Sequence, residues 1–101
     1  PIITVIFNNG TLGMVRQWQS LFYNKRYSET TLDRGPDFVK LADAYGIKGY
    51  DLCTTAELEN ALREALESGK PAVLNCHIEN DEKVPPMVAP GKPITDFILK
   101  D

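Results

Sequence analysis

The fold is decided by Ile2-Ile3-Thr4-Val5-Ile6-Phe7-Asn8-Asn9-Gly10-Thr11-Leu12-Gly13-Met14-Val15-Arg16-Gln17-Trp18. Residues 2–7 are mostly β-branched or aromatic, a pattern typical of a strand covered by helices on both faces. Two asparagines and a glycine follow, and residues 14–23 then carry apolar side chains at helical spacing. In a parallel sheet, such a strand-to-helix corner lies at the carboxyl end of the strand, where ligands collect.

A second helix and a second strand are predicted further along. Gly35-Pro36 predicts the start of the helix, because proline suits the first helical position. Gly46 stands where a C-terminal cap is expected. Residues 47–52 form a short predicted strand. The apolar stripe of the helix would consist of Phe38, Leu41, Ala42 and Tyr45.

The third helix has the clearest signals. Thr54-Thr55-Ala56-Glu57 has the form of a capping box, and Gly69 is placed to end the helix. The apolar residues between them follow helical spacing, and residues 71–78 form the third predicted strand. The order strand, helix, helix, strand, helix, strand predicts an α/β fold with three parallel strands and helices between them.

The C-terminal part of the chain changes character. Four prolines interrupt it: Pro85, Pro86, Pro90 and Pro93. Because proline removes a backbone donor and fixes φ, we predict an irregular segment over about 80–101, with one short helix over 94–99. The regular α/β part then covers about 1–79. Three strands make a thin sheet, and this count suggests half of a doubly wound, three-layer domain.

Composition restricts the classes of function. A chain of 101 residues has room for one domain, and its net charge of −3 argues against a general nucleic-acid binder. No apolar run approaches the roughly 18 residues of a membrane span. Cys53 and Cys76 lack metal-binding spacing and are expected to be free thiols. We therefore expect a cytoplasmic location, or an organelle if a transit peptide was removed, and neither a nucleic-acid nor a membrane partner.

The corner at Asn8-Asn9-Gly10 has two interpretations. Asn-Gly commonly joins the strands of a hairpin, although here the following residues keep helical spacing. The alternative is a polar corner that offers an amide oxygen and backbone carbonyls to a hard cation or a phosphate-bearing cofactor. Spacing alone leaves both interpretations open.

Four segments of the chain together resemble one enzyme family. They are the Asn-Asn pair after a buried strand, residues 13–18 followed by Phe22-Tyr23, residues 36–42 with 44–46, and residues 83–88. This combination resembles the large, catalytic subunit of acetolactate synthase (acetohydroxyacid synthase), most specifically at residues 13–18. The resemblance implies the C-terminal half of a thiamine-diphosphate-binding domain. By that resemblance, the first and third strands of this chain should be neighbours, and its second strand should lie at the edge.

The resemblance also implies a cofactor and a metal at the corner. In the family, an Asn-Asn pair closes the thiamine-diphosphate motif, and its second asparagine binds the Mg²⁺ that anchors the diphosphate. Carried over, the metal ligands are the Asn9 side chain and the Thr11 backbone carbonyl, with the opening aspartate expected upstream of Pro1. Asn9, Gly13 and Met14 would bind the cofactor. Oxygen ligands of this kind suit Mg²⁺.

The helix after the corner is expected to line a substrate channel. By resemblance, Trp18 lines the access channel, and Phe22, one turn further, supports the same wall. Without the resemblance, Trp18 on an amphipathic helix is interpreted as a core anchor. His77 is the only histidine and is expected to be a packed or edge residue rather than a base. No catalytic residue is expected in this chain.

The implied activity belongs to a larger protein. That enzyme would condense pyruvate with a second 2-ketoacid in branched-chain amino-acid biosynthesis. Its remaining domains, in a homodimer or homotetramer, would supply the activating glutamate and any FAD site, and a regulatory subunit can join it. The isolated chain is expected to be inactive.

Two alternatives remain, and the chain departs from the family's pattern at Gly10, at residues 51–53 and at Pro90. The chain can belong to another thiamine-diphosphate enzyme, such as a glyoxylate carboligase or a 2-ketoacid decarboxylase. It can also be a non-enzymatic α/β interaction module. Asp51 stands where the family often has a basic residue.

Overall fold

The computed structural model describes residues 1–99 and contains a parallel sheet with helices between its strands. Its elements, in chain order, are β1 (Ile3–Asn8), α1 (Gly13–Phe22), α2 (Phe38–Ala44), β2 (Lys48–Leu52), α3 (Thr55–Ser68), β3 (Ala72–His77), β4 (Met87–Val88) and β5 (Phe97–Ile98). The α/β class and the order of the first six elements confirm the prediction.

The main sheet has the strand order β1-β3-β2, and both pairings are parallel. The first and third strands are therefore neighbours and β2 lies at the edge, as expected. Ile3 and Lys48 both pair with Ala72, and Asn8 pairs with His77. Because the strands begin level with one another, their carboxyl ends meet at one edge of the sheet.

The two faces of the sheet pack against different helices. One face and α3 form the core cluster, which consists of Leu52, Ala61, Ala65, Ala72, Leu74 and Cys76. On the other face, α2 approaches closely, since a Cβ on Gly49 would lie 3.0 Å from Cα of Val39. Successive strand residues alternate between faces. Asp51, Asn75 and His77 therefore lie on the face that α2 covers.

Both ends of α3 agree with the prediction. The Thr54 hydroxyl accepts the Glu57 N–H at 3.2 Å, and the Glu57 carboxylate accepts the Thr54 N–H at 3.0 Å, which is a complete capping box. Gly69 ends the helix in the left-handed conformation, with φ of 60°. These contacts are made within a few residues of chain, so the sequence pattern was sufficient to predict them.

The start and the apolar stripe of α2 differ from the prediction. Asp37 is the N-cap and accepts the Lys40 N–H at 3.1 Å, so Pro36 precedes the helix instead of opening it. An aspartate cap supplies an acceptor for a free N–H of the first turn, which the proline does not. Leu41 and Tyr45 are 46% and 76% exposed. This short helix therefore meets the sheet along a narrower face than predicted.

β1 is not covered on both faces by residues 1–99, which corrects a second expectation. Val5 is 41% exposed and Phe7 is 70% exposed. The cause is the position of α3, which packs over β2 and β3 rather than over β1. β1 thus carries more apolar side chains than the described part of the chain buries.

The C-terminal segment contains a small second sheet and not the short helix predicted over 94–99. A turn joins Pro93 and Asp96 through a 2.9 Å backbone hydrogen bond. Phe97–Ile98 then pairs antiparallel with Met87–Val88. Pairing with this separate strand, together with β-branched and aromatic residues, determines the conformation. Lys100 and Asp101 lie outside the described residues.

Two expectations from composition concern membrane spans and the state of the two cysteines. Within residues 1–99, every helix is too short or too polar to cross a bilayer. Cys53 and Cys76 are both free thiols, the first exposed and the second buried.

Candidate functional site

The turn after β1 is held by its own two asparagine side chains. Oδ1 of Asn8 accepts the Gly10 N–H at 3.1 Å, and Oδ1 of Asn9 accepts the Thr11 N–H at 3.1 Å. Gly10 has φ of 64°, a conformation that glycine adopts without steric cost. Two successive Asx turns therefore direct the chain from β1 into α1. Because α1 is the next element, the hairpin interpretation is wrong.

The segment that returns after α1 buries Thr11. Thr11 forms an isolated antiparallel bridge with Thr31. The hydrogen bonds beside the bridge are made by its neighbours: the Leu12 N–H donates to the Thr30 carbonyl at 2.8 Å, and the Gly10 carbonyl also accepts from the returning segment. In such a pair, the carbonyl of the central residue points away from the partner. The buried Thr11 hydroxyl oxygen has no hydrogen-bond partner within residues 1–99.

The first residue of α1 leaves room for the asparagine next to it. A Cβ on Gly13 would lie only 2.6 Å from Nδ2 of Asn9. Leu12 occupies the N-cap position and makes no side-chain capping bond. The N–H groups in a first helical turn favour negatively charged groups. Gly13 and Asn9 thus share one small space beside a helix end without a side-chain cap.

The atoms predicted to hold the metal are compatible with a hard divalent cation, but they are few. Asn9 and Thr11 offer neutral oxygens, the ligand type that Mg²⁺ accepts. In the described part of the chain there is no group of three or more His, Cys, Asp or Glu side chains that could hold a metal. These two residues can therefore form only part of a coordination shell.

Trp18 lies in the wall of an open groove that runs along α1. The groove has a volume of about 770 Å³ and is lined by Met14, Val15, Trp18, Gln19, Tyr23 and Arg26. Met14 and Val15 are half-exposed in it. The rings of Phe22 and Trp18 meet edge to face with their centroids 5.6 Å apart, although Phe22 does not line the groove itself. Trp18 is thus partly exposed rather than enclosed as a core anchor.

The opposite side of α1 is bonded to the C-terminal segment. Oε1 of the buried Gln17 accepts the Val84 N–H at 2.8 Å. Arg16 donates to both carboxylate oxygens of Asp81, at 2.6 and 3.2 Å. Its Cζ also lies 3.9 Å from the centroid of the Tyr27 ring. The hydrogen bond from Arg16 lowers the pKa of Asp81. These contacts fix the position of α1 from the side opposite the groove.

A polar network joins the carboxyl ends of all three strands. Nδ2 of Asn8 donates to Oδ1 of Asn75 at 3.1 Å, and Nδ2 of Asn75 donates to Oδ1 of Asp51 at 2.7 Å. Nε2 of His77 lies 2.8 Å from the same Asp51 oxygen. Asn75 is buried, whereas Asp51 and His77 are exposed. The hydrogen bonds from Asn75 and then from His77 lower the pKa of Asp51.

Sequence reasoning did not identify Gln17 or Asn75 as site residues. Asn75 had one available signal, because it interrupts the apolar run of β3. Gln17 had none, because α1 carries three further polar side chains, Arg16, Gln19 and Ser20. Asp51 was recognised only as a departure from the family's pattern, and its partners, Asn75 and His77, depend on the register of the sheet.

Comparison with known proteins adds a family and several relatives. The model of the family described as "Thiamine pyrophosphate enzyme, C-terminal TPP binding domain" matches residues 1–76. The probable acetolactate synthase large subunit of Methanocaldococcus jannaschii is 44% identical over 98 residues, which are 97% of this chain and 16% of that protein.

Two further relatives have similar names and similar coverage. The acetolactate synthase isozyme 2 large subunit of Escherichia coli K12 is 44% identical over 100 residues, 99% of this chain and 18% of that protein. The acetolactate synthase large subunit of Porphyra purpurea is 45% identical over 93 residues, which are 91% of this chain and 16% of that protein. The chain thus spans less than a fifth of the length of these relatives.

Proposed function

This chain belongs to the family of thiamine pyrophosphate enzymes with a C-terminal TPP-binding domain, and on that premise we propose that it is the C-terminal half of this domain in an acetolactate synthase large subunit. The observation that carries the proposal is the corner after β1, where Asn9, Thr11 and Gly13 meet within one turn. The names of relatives about 44% identical over nearly the whole chain favour this synthase over other members of the family. The regular part, about 1–79, and the segment 80–101 are then parts of one domain.

We propose that the Asn9 side-chain oxygen and the Thr11 carbonyl bind the Mg²⁺ that anchors thiamine diphosphate (thiamine pyrophosphate). An amide oxygen adds a ligand without adding a negative charge beside the diphosphate. Gly13 leaves the space that the Asn9 side chain occupies, and Met14, the next residue, extends the surface toward the groove. The cofactor, when bound, supplies the electron sink for decarboxylation of a 2-ketoacid.

The groove along α1 is the proposed wall of the substrate channel. Its apolar lining, including Met14 and Trp18, would exclude water from the bound 2-ketoacids, pyruvate among them. Phe22 fixes the Trp18 ring by its edge-to-face contact. Arg26 also lines the groove and carries a positive charge that attracts the carboxylate of such a substrate.

The rest of the activity is assigned to other parts of a larger protein. Two neutral oxygens do not complete an octahedral shell, so the remaining ligands come from other residues and from the diphosphate. The remaining domains of the subunit, and a second subunit of a homodimer or homotetramer, would supply the activating glutamate and any FAD site. Val5 and Phe7 of β1 are apolar and exposed, which supports the proposal that another protein surface covers them. No residue of this chain is assigned a catalytic role.

Calorimetry with thiamine diphosphate at a series of Mg²⁺ concentrations tests the metal ligand. In the complete polypeptide that contains this chain, Asn9→Ala is expected to raise the Mg²⁺ concentration for half-maximal cofactor binding by about tenfold or more. The matched control is Asn60→Ala, which removes an exposed amide from α3 and should change nothing. Unchanged Mg²⁺ dependence in Asn9→Ala would refute the ligand role.

Two further measurements delimit the activity. The isolated 101-residue chain is expected to show no carboligase activity and no cofactor binding at micromolar concentration; binding there would contradict the proposed division of the site. Product analysis of the complete polypeptide with pyruvate against glyoxylate separates a synthase from a glyoxylate carboligase.

A further inference from the structure

We propose that Asn75 is a positioning residue for the metal-binding corner, acting through Asn8, and that Asp51 fixes the orientation of the Asn75 amide. The inference rests on the proposed function, because it takes Asn9 and Thr11 as the metal ligands. It concerns three side chains that lie outside the predicted ligand set and on three different strands.

Both polar atoms of the Asn8 side-chain amide are hydrogen-bonded. Its oxygen accepts the Gly10 N–H at 3.1 Å, which shapes the turn. Its nitrogen donates to Asn75 at 3.1 Å, which ties the turn to the central strand. Asn9 is the next residue and forms the second Asx turn. A shift of the Asn8 amide therefore moves the backbone from which Asn9 extends.

The Asn75 amide can adopt only one of its two orientations. An ionised carboxylate accepts hydrogen bonds and donates none, so the Asn75 nitrogen must face Asp51, from which it lies 2.7 Å away. The Asn75 oxygen is then the atom that faces Asn8. His77 lies 2.8 Å from the same Asp51 oxygen and helps hold the carboxylate in place. A flip of this buried amide would place oxygen against carboxylate and leave polar atoms unpaired.

Residues that hold metal ligands in place typically contribute about 10- to 100-fold to metal affinity. Asn75 acts one residue further out, through Asn8, so the lower end of that range is expected. We therefore expect disruption of the network to raise the Mg²⁺ requirement for cofactor binding by about tenfold.

An exchange of amide and carboxylate tests the inference in the complete polypeptide. Asn75→Asp removes the donor to Asp51 and places two carboxylates against each other. Their repulsion should displace the side chain at position 75 from Asn8, and the half-saturating Mg²⁺ concentration should rise by about tenfold. Adding Asp51→Asn restores a donor and an acceptor. The amide introduced at position 51 donates to the carboxylate introduced at position 75, which still accepts from Asn8. The double variant should return to within about twofold of the parent.

The readouts are calorimetry with thiamine diphosphate across Mg²⁺ concentrations and thermal unfolding without ligands. A role in folding alone would lower the melting temperature of Asn75→Asp and leave the Mg²⁺ requirement of the folded protein unchanged, which would overturn the inference. Failure of the double variant to restore the Mg²⁺ requirement would overturn it as well. If Asn75→Asp does not fold, Asn75→Leu in the Asp51→Asn background removes the acceptor for Asn8 without burying a charge. That variant should also show a rise of about tenfold, and parent-like behaviour would contradict the inference.

Failure of this inference can be told apart from failure of the proposed function. If Asn9→Ala leaves the Mg²⁺ requirement unchanged, the metal site itself is wrong. If Asn9→Ala raises it and Asn75→Asp does not, only the positioning role of Asn75 is wrong.

Discussion

Replacement of Gly13 by alanine should affect folding and metal binding differently. In the helix, alanine is favoured over glycine by at most about 1 kcal/mol. At the corner, the new Cβ would lie 2.6 Å from Nδ2 of Asn9, well inside the roughly 3.5 Å of an ordinary contact. The Asn9 side chain must then rotate away, and its 3.1 Å hydrogen bond with the Thr11 N–H is lost.

The two effects on stability nearly cancel, whereas the effect on the metal does not. Loss of one hydrogen bond costs about 0.5 to 1.5 kcal/mol, close to what the helix gains. The free energy of unfolding of Gly13→Ala should therefore lie within about 1 kcal/mol of the parent. The proposed ligand oxygen of Asn9, however, has moved. We expect at least about a tenfold rise in the Mg²⁺ concentration for half-maximal cofactor binding, equivalent to about 1.4 kcal/mol.

Urea unfolding and calorimetry on the complete polypeptide measure the two quantities separately. Gly35→Ala is the matched control, because a Cβ at Gly35 meets no atom within 4 Å. It should leave the Mg²⁺ dependence unchanged and stabilise the fold slightly or not at all. A parent-like Mg²⁺ dependence in Gly13→Ala would refute the role given to the Asn9 orientation. A loss of stability above about 3 kcal/mol would show that the substitution disrupts the fold rather than the corner.

Two further predictions concern stability. Thr54→Ala should lower the free energy of unfolding by about 1 kcal/mol in urea titrations, because it removes the acceptor of the capping box, while Thr55→Ala should have a smaller effect; equal effects would contradict the role of the cap. Hydrogen bonds lower the folded-state pKa of Asp51 and of Asp81, so both carboxyls stabilise the fold above their unfolded pKa of about 3.9. That stabilisation is lost as the pH falls through the lowered folded-state pKa values. The midpoint temperature of thermal unfolding should therefore decrease as the pH falls below about 4, and it should decrease less steeply in Asp81→Asn. A midpoint independent of pH in that range, or an equal slope in the variant, would contradict this prediction.

The parts of the fold that were predictable from sequence depend on contacts between residues close in the chain. The capping box at Thr54, the end of α3 at Gly69 and the corner after β1 are all of this kind. The start of α2 was mispredicted where two local signals stand side by side, Pro36 and Asp37. The side-chain cap determines the boundary, because it satisfies an N–H that the proline does not.

The parts that were not predictable depend on pairing and packing between separate elements. Residues 94–99 carry a helix pattern too short to stand alone, and pairing with Met87–Val88 makes an extended segment instead. The exposure of Phe7 depends similarly on where α3 lies over the sheet. Local patterns do not contain this information.

One feature of β3 connects the core and the proposed site. Leu74 and Cys76 face α3, and the alternating residues Asn75 and His77 face the α2 side. In the observed register, Asp51 stands level with Asn75, and Asn8 stands level with His77. A slip by one residue would place Asn75 in the apolar core and move Leu74 out of it, so burial of Leu74 strongly favours this register. The same pairing brings the Asn75 amide within 3.1 Å of Asn8. The register that buries the core therefore also positions the corner proposed to bind Mg²⁺.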